Sequence, residues 1–143
     1  MKKYPTLKSL RNAEYDKVLK MWEGLGYYSR CKNMHKATQL IKSSFPNNYK
    51  DLRKLPGIGD YTAKAILGIA YNKPIMPTDA NIERILVRLF AIQKPITKIK
   101  NDLKSLAEKF ISRKYSSDLI QSFMDFGSIV CVPRNPKCED CNI

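Results

Sequence analysis

Several things are scarce in this 143-residue chain, and each scarcity excludes something. There is one histidine, His35, and nothing in the local pattern supplies it with a partner for acid–base work, so no catalytic role falls to it. No apolar run reaches the length of about 20 residues that a bilayer crossing needs. The opening Met1-Lys2-Lys3-Tyr4-Pro5 lacks the apolar centre of a secretory signal. The chain therefore reads as cytoplasmic, where its four cysteines are expected to be something other than structural disulfides. No internal repeat and no low-complexity tract is found. No segment alternates convincingly between apolar and polar residues, which argues against strands. Acidic residues are half as common as basic ones, 13 against 26.

What is present fits a folded, basic, helical protein. Apolar residues make up 43%, enough for one domain with a real core. The formal net charge of +13 points to a polyanionic partner, most simply nucleic acid. Lysines far outnumber arginines, and an AT-rich coding sequence would produce the same excess without any functional demand.

Helical spacing recurs along the chain. Tyr15, Val18, Leu19 and Trp22 form one face before Gly24 and Gly26 break the pattern. A second helix is expected over about residues 33–43, with Met34, Ala37, Leu40 and Ile41 inward. A short helix around 49–54 follows a loop at 45–48. Ala63, Ile66, Leu67, Ala70 and Tyr71 stand at i, i+3, i+4, i+7 and i+8, as do Ile82, Ile85, Leu86, Leu89 and Phe90 after a Pro74–Pro77 connector. Leu103 to Ile111 repeats that spacing, and Leu119, Phe123, Phe126 and Val130 mark a last helix. The fold class is all-α, a compact bundle with short loops.

Three local patterns carry candidate chemistry. Leu55-Pro56-Gly57-Ile58-Gly59-Asp60 reads as a tight bend opening a helix, whose unpaired N–H groups favour an anion such as a DNA phosphate; an ordinary αα-hairpin would look the same. Asp79 follows a proline segment and precedes an apolar helix, the position of a good N-cap worth about 1 kcal/mol. Cys131, Cys138 and Cys141 give C-x6-C-x2-C around a stiff Pro-rich loop, a spacing that suits a metal site; three free thiols, or zinc, remain open on spacing alone. Cys31 lies about a hundred residues upstream and reads as a bystander.

Taken together, WEGLGYYSRCKNMHKA (22–37), LPGIGDYTAKAIL (55–67), PTDANIERILVRLFAI (77–92) and FGSIVCVPRNPKCEDC (126–141) resemble the helix-hairpin-helix DNA glycosylases of base-excision repair. The match is nearest to their monofunctional, adenine-removing branch and spans nearly the whole chain in order. The related lyases carry a nucleophilic lysine just past the hairpin glycines. Tyr61 stands there instead, and a tyrosine cannot form the Schiff base that strand cleavage requires. The resemblance implies hydrolysis of the N-glycosidic bond of a flipped adenine opposite 8-oxoguanine or guanine in double-stranded DNA. It places the carboxylate that steadies the cationic sugar on Asp79 and a supporting Asn on Asn81. It makes Tyr27 the residue wedged into the duplex, with Arg30 beside it in the DNA-facing set. Tyr61 would line the base pocket, and Gly57 and Gly59 would offer backbone N–H groups to a phosphate. Tyr27 and Tyr28 read equally as core aromatics, and Arg30, Lys32, His35 and Lys36 as a solvated face. Cys131, Cys138 and Cys141 would be ligands of a 4Fe-4S cluster whose fourth cysteine this chain lacks. The intact family is expected to be monomeric, without membrane attachment and associated with the nucleoid through DNA.

Two departures set further expectations. The family's N-terminal Ser-Glu and Gln-Gln-Thr motif, whose glutamate protonates the leaving base, has no counterpart; Glu14 and Glu23 stand in no such motif. The C-terminal domain that checks for 8-oxoguanine is also missing. The expected organisation is a partial glycosylase domain over 1–130 and an incomplete cluster loop over 131–143. DNA affinity without much excision is expected, and the alternative is a non-catalytic DNA-binding module with a structural metal.

Overall fold

The computed structural model describes residues 3–143. All regular structure among them is helical, as the missing strand periodicity predicts. Among the described residues no helix is long and apolar enough to cross a membrane. The chain divides into two compact units, Met1–Gly59 and Asp60–Ile143.

The first unit holds α1 (Leu7–Arg11), α2 (Tyr15–Met21), α3 (Tyr28–Leu40) and α4 (Tyr49–Leu52). Thr6 and Ser9 form a reciprocal capping box at the start of α1. Arg11 donates from Nε to the Thr38 carbonyl at 2.9 Å and from Nη2 to the Ile41 carbonyl, satisfying oxygens that the end of α3 leaves open. Val18, Cys31, Ala37, Ile41, Leu52 and Leu55 are buried. α3 starts five residues before the expected position, directly after the glycine-rich turn. It also stops sooner. Leu40, expected inward, is 59% exposed. The chain turns extended at Ile41, and that side chain takes the buried place instead.

The second unit holds α5 (Asp60–Ala65), a π turn (Ile66–Ala70), α6 (Ala80–Leu89), α7 (Lys100–Glu108) and α8 (Ser116–Ile129). Its core is Met76, Ile82, Leu86, Ile99, Leu103, Ala107 and Ile120. The π turn alters the expected face of the helix after the bend. Ala63 and Leu67 are buried as the spacing predicts, but Gly68 is buried with them, while Ala70 and Tyr71 are exposed. A π turn holds more residues per turn than an α-helix, so positions i+7 and i+8 rotate off the inward side. Gly68 is needed there, because a Cβ would overlap Ile120 Cδ1 of α8 and lie 3.2 Å from the Ile75 carbonyl. Asn72 ties the following loop down, donating to the Lys114 carbonyl and accepting from the Ser117 N–H. Pro77 is fully buried in the extended connector and delivers the chain to Asp79. Leu89 and Phe90, expected inward, are 39% and 46% exposed. Leu89 lines an open apolar groove with Ile85, Phe110, Phe123 and Phe126.

Candidate active site

Asp79 sits at the N-cap of α6 with extended backbone, φ −119° and ψ −179°. Its Oδ1 accepts from the Asn81 N–H at 3.0 Å and the Ile82 N–H at 2.9 Å, two of the donors a helix start leaves unpaired. Oδ2 is left facing Asn81 Nδ2 at 3.5 Å, a long and weak approach. The carboxylate is thus pinned through one oxygen.

Tyr61, on α5, belongs to the same surroundings. Partial burial, and then the negative charge of Asp79, push its phenol above the ordinary value of 10.0. The hydroxyl keeps its proton across the physiological range and is available as a donor. Lys64, the lysine nearest in sequence, is paired with Asp60 at 3.3 Å across one helical turn. Tyr61 thus feels the charge of Asp79, and Asp79 in turn contacts Asn81, all within the second unit.

The remaining DNA-facing candidates lie in the first unit. Tyr27 is 72% exposed and Tyr28 is 50% exposed, so neither is a core aromatic. Tyr27 has left-handed backbone (φ 46°, ψ 50°), and Gly24 and Gly26 before it also have positive φ. For a residue with a Cβ this conformation costs about 1–2 kcal/mol. The Arg30 guanidinium stacks 4.4 Å from the Tyr27 ring centroid, a cation–π pair that holds both side chains outward. Gly57, at φ 80°, is held against α3, and a Cβ would come within 2.8 Å of Asn33 Cβ. Gly59 has no positive φ, and a Cβ there would meet only Arg53 Nη1 at 3.8 Å. The bend itself is closed by Ile58 N–H to the Leu55 carbonyl and by Arg53 Nη1 to the Ile58 carbonyl.

Cys131, Cys138 and Cys141 line one cavity of about 240 Å³ with Arg88, Phe126, Val130 and other apolar residues. Among the described residues no group of three His, Cys, Asp or Glu side chains is gathered closely enough to hold a metal ion. The donor chemistry nonetheless suits a soft metal centre, since three thiols face one cavity. Cys31 is fully buried in α3, and burial raises its thiol above the ordinary value, consistent with an inert bystander.

Two arginines on α6 join these parts, and neither stands out in the sequence by itself. Arg84 donates from Nε to the Cys131 carbonyl at 2.7 Å and from Nη2 to the Gly127 carbonyl at 2.6 Å and Asn81 Oδ1 at 2.9 Å. Arg88 reaches Cys131 Sγ at 3.3 Å and the Val132 and Pro133 carbonyls at 2.8 and 3.2 Å. Asn81, Arg84 and Arg88 stand at i, i+3 and i+7, a polar stripe along one side of the helix. That stripe was the legible signal.

The chain is 34% identical to an adenine DNA glycosylase of Buchnera aphidicola subsp. Baizongia pistaciae over 99% of its length, covering 41% of that protein. It is 38% identical to the adenine DNA glycosylase of Schizosaccharomyces pombe over 100% of its length, covering 33% of that protein. The chain thus spans well under half the length of these curated relatives. A solved thermostable thymine-DNA glycosylase superposes with a TM-score of 0.86 at 28% identity, over 98% of this chain and 67% of that one. A trapped endonuclease III–DNA covalent intermediate shares the fold, with a TM-score of 0.80 at 22% identity over 99% of this chain and 68% of that one. The model of the HhH-GPD superfamily of base excision DNA repair proteins matches residues 1–113, and with the bend at Gly57 and the capped carboxylate at Asp79 in place, the chain belongs to that superfamily.

Proposed function

We propose that this chain binds double-stranded DNA and hydrolyses the N-glycosidic bond of adenine mispaired with 8-oxoguanine or guanine, leaving the strand intact. One observation carries the reading: the Asp79 carboxylate is pinned through Oδ1 to two backbone N–H groups, with Oδ2 turned toward Asn81. A flipped nucleotide presented to Oδ2 would place its anomeric carbon beside a fixed negative charge. As the base leaves with the bonding electron pair, the sugar becomes an oxocarbenium ion, and that charge stabilises it without reorganising. Water then adds to the carbon and the base takes up a proton. Tyr61 supplies a hydroxyl to the pocket wall and no amine, so no Schiff base forms and no strand is cut.

The interface with DNA follows from the first unit. Tyr27, backed by Arg30, is the exposed wedge, and the Gly57–Gly59 bend offers backbone N–H groups to a phosphate. Cys131, Cys138 and Cys141 would hold a 4Fe-4S cluster through three thiolates. Such a cluster supplies order to residues 131–141, and no step of base removal is assigned to it.

Single-turnover incubation with a duplex carrying A opposite 8-oxoguanine tests the reading. Adenine should be released with the strand unbroken, and Asp79→Asn should abolish release while sparing duplex binding. Tight binding with no release by the unaltered chain would favour the non-catalytic DNA-binding module instead.

A further inference from the structure

We propose that Trp22 is a positioning residue: its indole N–H holds the peptide plane before Tyr27 so that this tyrosine stays in left-handed backbone at the surface. The part this plays at the duplex rests on the interface proposed above. Trp22 Nε1 donates to the Gly26 carbonyl at 2.9 Å. An indole has this single donor and no acceptor, so the bond fixes which way the carbonyl points. The Gly26 carbonyl and the Tyr27 N–H belong to one rigid plane. Rotating that plane changes ψ of Gly26 and φ of Tyr27. Turning it over would carry Tyr27 from φ 46° into extended backbone, which any residue adopts without strain. The flipped form is therefore favoured by local sterics, and something must oppose it.

Packing does not oppose it. A Cβ built on Gly24 or Gly26 would meet nothing within 4 Å, so open space surrounds the turn. Tyr27 makes no side-chain cap bond to α3 either. Trp22 can act because it is itself anchored. It caps the end of α2, where its N–H donates to the Leu19 carbonyl at 2.9 Å, and its ring is half-buried. Its own carbonyl accepts from the Leu25 N–H at 3.1 Å, which closes the turn that brings Gly26 back over the ring. On the other side of Tyr27 the chain is tied into α3, since the Arg30 N–H donates to the Tyr27 carbonyl at 2.8 Å. The planes before and after Tyr27 are thus held by Trp22 and by α3 respectively. Losing the first hold frees the ring to leave Arg30, whose guanidinium lies 4.4 Å from its centroid.

Trp22 is the chain's only tryptophan, so its indole can be replaced biosynthetically by benzothiophene, where sulfur stands in place of N–H and the shape is kept. Trp22→Phe removes the same donor more coarsely; if it fails to fold, the sulfur analogue carries both readouts. The first readout needs no DNA. In left-handed backbone the amide and Cα hydrogens of one residue lie closer together than in extended backbone. Tyr27, identified by the signal lost in Tyr27→Ala, should give a strong nuclear Overhauser effect between them in the parent chain. The effect should weaken once the donor is gone. A weak effect in the parent, or one unchanged without the donor, would overturn the inference. The second readout is affinity for a duplex carrying A opposite 8-oxoguanine, by fluorescence anisotropy. It should fall about 2–10-fold, the worth of one hydrogen bond. In the Tyr27→Ala background, loss of the donor should add little, because the route through Tyr27 is already cut. An affinity that holds while the Overhauser effect weakens, or losses that multiply independently, would overturn the positioning role. A weakened effect in a protein whose parent binds no duplex would uphold the hold on Tyr27 while sinking the interface it was proposed to serve.

Discussion

Each carboxylate oxygen of Asp79 has a different neighbour, and substitutions can separate them. Serine caps helices about as well as aspartate, so Asp79→Ser should leave stability within about 0.5 kcal/mol of the parent while excision disappears. Asp79→Ala should lose excision and about 1 kcal/mol besides. Urea denaturation alongside single-turnover release reads both; a Ser variant as unstable as the Ala variant would show that the cap is not what Oδ1 supplies. Tyr61 gives a pH prediction. Its phenol is raised above 10.0 in the folded state, by burial first and then by Asp79. A raised acid contributes its stability fully below the unfolded value and loses it as pH rises toward the folded value. Stability should therefore decline above about pH 10, and Tyr61→Phe should flatten that decline, read as urea midpoints on either side of it. Asp79 was legible as a cap from the proline segment and apolar run around it, whereas the division of labour between its oxygens needed coordinates.

At the scale of elements, two glycines set how closely α8 packs. Gly68 brings the π turn against Ile120, and Gly127 brings α8 against Asn81. Alanine in a helical element gains about 0.5–1 kcal/mol over glycine, but forcing a methyl into a filled contact costs about 1–3 kcal/mol. Ile120 is 1% exposed and the Ile75 carbonyl is backbone, so the contact has little room to yield and the cost should win. Gly68→Ala should be destabilised by about 1–2 kcal/mol in chemical denaturation, and Gly68→Val by more. An alanine variant as stable as the parent would mean that the π turn relaxes into a regular helix. Apolar spacing located α6, α7 and α8. It could not reveal the π turn, because hydrophobic periodicity assumes the very turn geometry that the insertion changes. Leu40 and Leu89 misled for a related reason: spacing says which residues share a face, but what covers the face is a matter of packing.

Across the whole molecule the charge is uneven. Residues 1–59 carry thirteen Lys and Arg against four Asp and Glu, and residues 60–143 carry thirteen against nine. The unit with the exposed tyrosine and the glycine bend is thus the more basic one, which favours the proposed contact with phosphates. Duplex affinity should fall steeply with salt, by about a thousandfold between 50 and 200 mM if about six phosphates are neutralised. Fluorescence anisotropy with a labelled duplex measures this, and an affinity indifferent to salt would show that the basic excess merely reflects lysine-rich composition.

The amino-acid sequence alone determined the helical class, the family, the bend at Gly57 and the cap at Asp79. Those features are local: each depends on residues a few positions apart, where backbone sterics and hydrogen-bond reach decide the outcome. Only tertiary structure decided that Tyr61 feels the charge of Asp79, that Tyr27 is exposed in left-handed backbone, and that Arg84 bridges Asn81 to the cysteine loop. Arg84 and Cys131 are 47 positions apart, and no pattern of neighbours along a chain encodes which distant carbonyl a guanidinium will meet once the core has closed.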